Sequence, residues 1–170
     1  MVDKVLQLVG GKQTEVPGTV TSTGAAEAGK MVALGPDGRL DTTLLPAGLV
    51  DESDAIIAGE ALSAGNYVYI SSVDSKVYKA DASNVGKGAL GYVTSSAAAN
   101  ASVRVYYEGV NTAVTGYTPG ARYYLSTTPG VASTTVPSFA GGYAIHQFLG
   151  IASTSTKLIF EGDDVIVLAA

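Results

Sequence analysis

The sequence predicts an all-β protein: a compact antiparallel sandwich or barrel built from two tandem pseudo-repeats and preceded by an extended N-terminal arm. Three observations lead to this prediction: short runs of β-branched and aromatic residues, turn residues that bound those runs, and a segment that the chain repeats. Runs of this composition between turn residues are typical of strands. Self-similarity within one chain indicates a structural unit that has been duplicated.

The repeated segment consists of three blocks that occur twice in the same order. SAGNYVYIS (63–71), LGYVTSS (90–96) and VRVYYEG (103–109) return as TPGARYYLS (118–126), LGIASTS (149–155) and TKLIFEG (156–162). The glycines of the blocks correspond in three pairs: Gly65 with Gly120, Gly91 with Gly150, and Gly109 with Gly162. We therefore assign repeat 1 to about residues 62–109, repeat 2 to about 116–162, and a C-terminal strand to 163–170.

Each repeat contains runs that predict strands, at Tyr67–Ile70, Val103–Tyr107, Tyr123–Leu125 and Leu158–Phe160. Gly65 and Gly120 precede the first strand of their repeats, where a turn needs a residue that adopts positive φ. About four strands per repeat suffice for a compact β domain, and 170 residues suffice for one real core. Residues 59–170 are therefore predicted to form a duplicated β domain.

Residues 1–58 lack the repeat pattern and are assigned to an N-terminal arm or base with short strands. Val5–Val9, which Gly10 and Gly11 follow, and Met31–Leu34 predict two of these strands. Gly35–Gly38 has the composition of a β-turn, with proline at its second position and glycine at its fourth.

A leucine-rich segment follows that turn. Leu40, Leu44 and Leu45 would share one face of a helix, but Pro46 disfavours helical backbone at the residue before it. The segment therefore predicts a single helical turn or an extended anchor.

Composition excludes several functional classes. Charged residues make up 15% of the chain, against roughly 25% in an average soluble domain, and the net charge of −5 argues against a nucleic-acid surface. The chain has no cysteine, hence no disulfide or thiolate metal site. No apolar run approaches the ~18 residues of a spanning helix, and the N-terminus does not resemble a signal peptide. Few charges and a positive mean hydropathy can reflect a high content of Ala, Val and Gly, or a surface that other protein covers. The covered surface is favoured, because Ser, Thr and Ala replace Lys and Glu almost everywhere.

The sequence offers no constellation for catalysis. His146 is the only histidine, so a metal site would have to consist mainly of carboxylates. Neither a G-x-S-x-G elbow nor a glycine-rich phosphate loop occurs. Glu108 and Glu161 are repeat-equivalent, which indicates a structural role rather than an acid/base pair in two different environments. We expect no enzyme, no catalytic residue, no metal and no cofactor.

The tyrosines are open to two interpretations. Those at positions 67, 69, 106, 107, 123 and 124 could form a sugar-binding surface, or they could pack in the core and across strands. Packing is favoured, because aromatic residues in paired strands usually serve that purpose.

Two parts of the sequence resemble tailed-phage virion proteins. GKMVALGPDGRLDTTLLPAGL (29–49) resembles the G-K-x-V…G-x-L/I-D…L-L-P segment near the N-termini of phage fibre and head-fibre proteins. PGARYYLSTTPGVASTTVPS (119–138) and LGIASTST (149–156) resemble modules of virion decoration and fibre proteins. Fibres usually continue into long shafts or large tips, whereas this sequence ends after two compact units. We therefore expect a capsid decoration protein (cement or head-fibre).

The resemblance implies a structural virion protein, made in the host cytoplasm, that binds the capsid surface and cements neighbouring major capsid subunits. It also implies a homotrimer with no nucleic-acid or membrane partner. Leu40, Leu44, Leu45 and Pro46 are then the expected capsid or subunit contacts, and the β domain the trimerising head. The alternative is a fibre or receptor-binding module that attaches to host surface glycans. A bacterial surface β-domain ranks lower, and a small esterase or depolymerase last.

Overall fold

The computed structural model describes residues 4–45 and 52–168. The chain divides into two compact units, Met1–Val50 and Asp51–Ala170. Fourteen strands lie in the described ranges: β1 Lys4–Val9, β2 Lys12–Pro17, β3 Ser53–Ile57, β4 Tyr67–Ile70, β5 Val77–Lys79, β6 Gly91–Val93, β7 Ser102–Tyr106, β8 Gly109–Asn111, β9 Arg122–Leu125, β10 Ala132–Ser133, β11 Ile145–His146, β12 Phe148–Thr154, β13 Lys157–Phe160 and β14 Ile166–Val167. Helical structure in these ranges is limited to the 3₁₀ turns Ala25–Glu27, Thr42–Leu44 and Phe139–Gly141. The all-β prediction is confirmed.

The second unit contains two five-stranded antiparallel sheets with the same internal order. The first sheet runs β3-β7-β6-β4-β5, and the second runs β8-β13-β12-β9-β10. In each sheet one edge strand is the first along the chain (β3 or β8), and it pairs with the last (β7 or β13). The other edge strand is the third along the chain (β5 or β10). Two packed antiparallel sheets of this kind fit an all-β sandwich.

Turns and strand ends also match between the repeats. The Ser71 amide donates to the Lys76 carbonyl at 2.9 Å, and the Ser126 amide donates to the Val131 carbonyl at 3.0 Å. The Gly65 amide donates to the Val93 carbonyl of β6 at 2.7 Å, and the Gly120 amide donates to the Ala152 carbonyl of β12 at 2.8 Å. Both glycines have positive φ. The two sheets therefore share these bonds as well as their strand order, while the duplication itself stays a prediction from the sequence.

Two apolar clusters fill the second unit. One belongs to the first sheet and consists mainly of valines, with Ala58 and Leu62 packed beside them. The other joins both sheets: Tyr67 and Tyr92, on the opposite face of the first sheet, meet Leu125, Leu158 and other inward side chains of the second. The two sheets therefore bury a common core, which a single repeat does not contain.

Three sequence-based assignments differ from the structure. Within the described residues, Met31–Leu34 forms a single bridge, between Thr19 and Val32, instead of the predicted strand. The C-terminal strand is shorter than predicted: β14 pairs with β11 in a separate two-stranded sheet, and positions 169 and 170 lie outside the described residues. β3 was assigned to the N-terminal arm, but it pairs along its whole length with β7 of the β domain.

The common core contains a hydroxyl with an uncommon environment. Tyr67 is fully buried, and its hydroxyl makes no hydrogen bond of good geometry to any described residue, although the side chains of Asn111 and Tyr117 lie close to it. Burial raises the pKa of Tyr67 well above its ordinary value. An unpartnered buried hydroxyl costs free energy, because it loses its hydrogen bonds to water on folding.

Tyr67→Phe is therefore expected to leave the free energy of unfolding unchanged or to raise it by about 1 kcal/mol. Tyr123→Phe is the matched control, since the Tyr123 hydroxyl accepts a hydrogen bond from the Thr118 amide at 2.9 Å. The control is expected to lose about 1 kcal/mol. Urea unfolding of both variants measures the difference, and a Tyr67→Phe loss as large as that of the control would contradict the expectation.

Candidate interaction surfaces

The segment from Thr19 to Leu45 is held together by backbone hydrogen bonds and short turns. The Thr19 amide donates to the Met31 carbonyl at 2.8 Å, and the Ala33 amide donates to the Thr19 carbonyl at 2.9 Å. The Gly38 amide donates to the Gly35 carbonyl at 2.9 Å, which closes the turn that the sequence predicts at Gly35–Gly38. Loops of this kind keep their shape through polar contacts rather than through a core.

Of the two alternatives predicted for the leucine-rich segment, a single helical turn or an extended anchor, the structure shows the first, as the 3₁₀ turn Thr42–Leu44. Asp41 caps it, because its carboxylate accepts hydrogen bonds from the Thr43 amide at 2.9 Å and from the Thr43 hydroxyl at 2.6 Å. These bonds, led by the one from the hydroxyl, lower the pKa of Asp41. The Thr43 hydroxyl in turn accepts from the Ser22 amide at 2.8 Å, which ties the turn to the loop that precedes the first 3₁₀ helix.

An open groove of about 590 Å³ lies beside this turn. Its walls are formed by Val20, Thr21, Gly35, Pro36, Asp37, Arg39, Leu40, Asp41 and Thr42. The walls combine apolar side chains with two carboxylates and one guanidinium. A groove of this composition can accept an apolar side chain from another protein and hydrogen-bond the backbone on either side of it.

The structure separates the four predicted contact residues. Leu40 lines the groove and is 47% exposed, whereas Leu44 and Leu45 are half-buried and do not line it. Pro46 lies outside the described residues. The assignment of these four residues as contacts stays a prediction. Sequence reasoning did not find the exposed side chains of β1, because a short alternating strand does not reveal whether either face is covered.

The two units differ sharply in burial. None of the described side chains between residues 4 and 45 is fully buried, although several large apolar ones occur there, namely Leu6, Leu8, Val9, Met31, Val32, Leu34 and Leu40. In the second unit, by contrast, more than twenty apolar residues are buried. Large apolar side chains are exposed in both units, but only the described part of the first unit lacks a fully buried one.

The groups considered for chemistry occupy structural positions. The His146 ring is half-buried and packs against Tyr124, with ring centroids 5.2 Å apart. Within residues 4–45 and 52–168 no three metal-ligating side chains come together. The backbone carbonyl of Glu108, rather than its carboxylate, accepts a hydrogen bond, from the Tyr92 hydroxyl at 3.1 Å.

Most of the tyrosines serve packing. Tyr67 and Tyr123 are buried, which confirms the packing interpretation for them. Tyr69 stacks on Tyr78, and Tyr106 stacks on Tyr92, with centroid distances of 5.9 and 5.6 Å. The half-buried Tyr106 also borders an open cleft of about 270 Å³, which is lined in addition by Tyr92, Thr94, Glu108, Gly109, Val110 and Thr112.

Comparison with known proteins adds no family to these observations. No protein-family model matches the chain, and no curated protein matches it. Within the described part of the chain, no helix is long and apolar enough to cross a membrane. The function is therefore inferred from the surfaces of the chain and from the resemblance of its sequence segments to virion proteins.

Proposed function

We propose that this chain is a structural virion protein that binds the outside of a tailed-phage capsid and cements neighbouring major capsid subunits. The observation that carries the proposal is the contrast between the two units. Residues 4–45 present large apolar side chains and bury none completely, whereas the second unit has its own core. A protein that acts by binding alone needs exposed apolar side chains for its contacts and a stably folded domain attached to them. Residues 4–45 and the second unit meet these two needs.

Leu40 is the central contact of this proposal. It stands at the rim of the groove, 47% exposed, in the segment that resembles the N-terminal part of head-fibre proteins. Burial of a leucine side chain contributes about 1.5–3 kcal/mol. Several copies in one assembly then hold much more tightly than one, since each bound copy raises the effective concentration of the others. The protein acts at the capsid surface after synthesis in the host cytoplasm, without catalysis or a cofactor.

Leu40→Asp is expected to weaken capsid binding at least about tenfold, because the interface would have to bury an unpaired carboxylate. Leu90→Asp is the matched control, since Leu90 is 51% exposed but lies in the second unit. Binding is measured by co-sedimentation of the purified protein with expanded tailed-phage capsids stripped of decoration protein. Equal binding by the two variants would contradict the assignment of Leu40.

A receptor-binding module for host glycans is the second candidate. The cleft beside Tyr106 favours it, because the half-buried Tyr106 ring can stack on a sugar and Glu108, which lines the same cleft, can accept hydrogen bonds from the sugar hydroxyl groups. The wild-type protein discriminates the two candidates. Binding to arrayed surface polysaccharides without binding to capsids would favour the receptor-binding module over the cement protein.

A further inference from the structure

The cleft beside Tyr106 lies where the chain passes from the first sheet into the second. Its walls come from the end of β6, from β7 and from β8, and Glu108 stands in the connection between β7 and β8. The cleft measures about 270 Å³. Pockets for drug-sized ligands measure roughly 300–1,000 Å³, so this cleft has room for a smaller ligand, such as one sugar ring.

Several polar side chains border the cleft without a partner in the fold. Groups that make no hydrogen bond to any residue within 4–45 and 52–168 are the hydroxyl groups of Thr94, Tyr106 and Thr112 and the carboxylate of Glu108. The Tyr92 hydroxyl, by contrast, donates to the Glu108 carbonyl at 3.1 Å. The cleft therefore combines an aromatic ring with polar groups that a ligand can bind, which is the usual composition of a small-molecule site.

The second repeat provides a comparison for this arrangement. Ile159 occupies the position of Tyr106 there, and Glu161 occupies the position of Glu108. The carboxylate of Glu161, like that of Glu108, makes no hydrogen bond to a described residue, so the fold does not depend on either carboxylate. Only the first repeat has an aromatic ring two residues before this glutamate, in place of an aliphatic side chain.

The charge of the cleft favours an uncharged ligand. Glu108 is the only charged side chain in its walls, and the whole chain has a net charge of −5, so an anionic sugar would be repelled. A neutral pyranose has an apolar ring face that can stack on Tyr106. Its hydroxyl groups can donate to Glu108 and can exchange hydrogen bonds with Thr94 and Thr112.

We propose that this cleft binds a single neutral pyranose ring, stacked on Tyr106 and held through its hydroxyl groups by Glu108 together with Thr94 and Thr112. The proposal rests on the second candidate function above, for which it names the ligand class and the binding residues. It is compatible with capsid binding, because the cleft belongs to the second unit and Leu40 to the first.

Titration of the full-length protein with simple sugars tests the proposal. The probes are the methyl glycosides of glucose, galactose, mannose and N-acetylglucosamine, with the methyl glycoside of glucuronic acid as the anionic counterpart. At least one neutral glycoside is expected to shift the backbone amide NMR signals of Thr94, Gly109 and Val110 at millimolar concentration. The glucuronide is expected to bind more weakly than the neutral sugar of the same ring geometry, because Glu108 repels its carboxylate.

Two variants and a matched control assign the binding to the cleft. Glu108→Ala is expected to weaken binding at least about fivefold, because a hydrogen bond to a charged acceptor is lost. Tyr106→Leu is expected to weaken it by about as much, because the aromatic face is lost. Glu161→Ala is the control: Glu161 is exposed and repeat-equivalent, and its variant is expected to bind as the wild type does. The same spectra show whether each variant remains folded.

The outcomes separate this proposal from capsid binding. The cleft site would be overturned by the absence of shifts with every neutral glycoside, by tighter binding of the glucuronide, or by equal losses in Glu108→Ala and Glu161→Ala. Shifts confined to signals outside the cleft would overturn it as well and would move the sugar site elsewhere. Leu40→Asp is expected to keep wild-type sugar binding. A wild-type protein that binds a neutral glycoside but does not sediment with capsids would contradict the cement function and leave the cleft site standing.

Discussion

Replacement of Gly150 by alanine is expected to lower the melting temperature by at least about 10 °C, which corresponds to a loss of roughly 4 kcal/mol in a domain of this size. Gly150 is buried in β12 with φ +144°, and a β-carbon there would lie 1.8 Å from the Ile159 carbonyl oxygen of β13. No rotamer removes this overlap, because the atom that is met belongs to the backbone. The β12–β13 pairing would have to open, and both strands lie at the centre of the second sheet.

Gly116→Ala is the matched control, because it measures the cost of an alanine at positive φ without a steric clash. Gly116 has φ +74°, and a β-carbon there would meet no atom within 4 Å. The control variant is therefore expected to lose only about 1 kcal/mol, the cost of an alanine in the left-handed region. Thermal unfolding followed by circular dichroism measures both variants. If Gly150→Ala melted within two or three degrees of Gly116→Ala, the close approach of β12 and β13 would be refuted.

Replacement of Gln147 by leucine is expected to cost on the order of 3–5 kcal/mol. The buried amide of Gln147 accepts a hydrogen bond from the Ala89 amide at 2.7 Å and donates to the carbonyls of Ala89 and Asp163 at 2.8 and 3.0 Å. Leucine has a similar volume but leaves all three backbone groups without this partner. Each buried unsatisfied group costs about 1–3 kcal/mol. This cost applies to the amide and the carbonyl of the buried Ala89, whereas Asp163 is exposed and its carbonyl can bond to water. The free energy of urea unfolding measures the loss, and a value below about 1 kcal/mol would contradict it.

The variant Gln147→Glu tests the direction of these bonds through pH. The introduced carboxyl would be buried beside two carbonyl oxygens, and the carboxylates of Asp163 and Asp164 line the same cleft. Both effects raise its folded pKa above the unfolded value of about 4.3. The stabilisation by the neutral form is then present below about pH 4 and is lost as pH rises through the folded pKa. The deficit relative to wild type should therefore grow from pH 4 to pH 7, and a deficit independent of pH would contradict this network.

Sequence reasoning predicted more of the β domain than of the first unit. The four predicted strands of the repeats are present as β4, β7, β9 and β13 within about one residue. Four of the glycines in the repeated blocks also have the positive φ that a turn requires, namely Gly65, Gly109, Gly120 and Gly162. These features are local: strand composition and turn conformation depend on neighbouring residues along the chain.

The sequence did not show which of the proposed contact residues are exposed, because exposure is not a local property, and the contacts themselves stay a prediction. Leu40, Leu44 and Leu45 are alike in sequence, yet only Leu40 reaches the groove, where the fold of Thr19 to Leu45 leaves it open. Leu6 and Leu8 alternate with polar residues, as the apolar residues of a half-buried strand do. The adjacent sequence therefore does not reveal that both side chains are exposed in the structure.

By itself, the sequence determined the β class, the strands of the repeats and the positions at which the backbone needs glycine, because local sterics and side-chain alternation act over a few residues. Tertiary structure alone decided that Tyr67 and Tyr92 face the second sheet, that Gln147 joins the two repeats, and that Leu6 and Leu8 of β1 are exposed. Each of these depends on residues far apart in the chain. Burial depends on the whole fold. The alternation of apolar residues in a strand shows only which side chains would stabilise the protein if another element covered them.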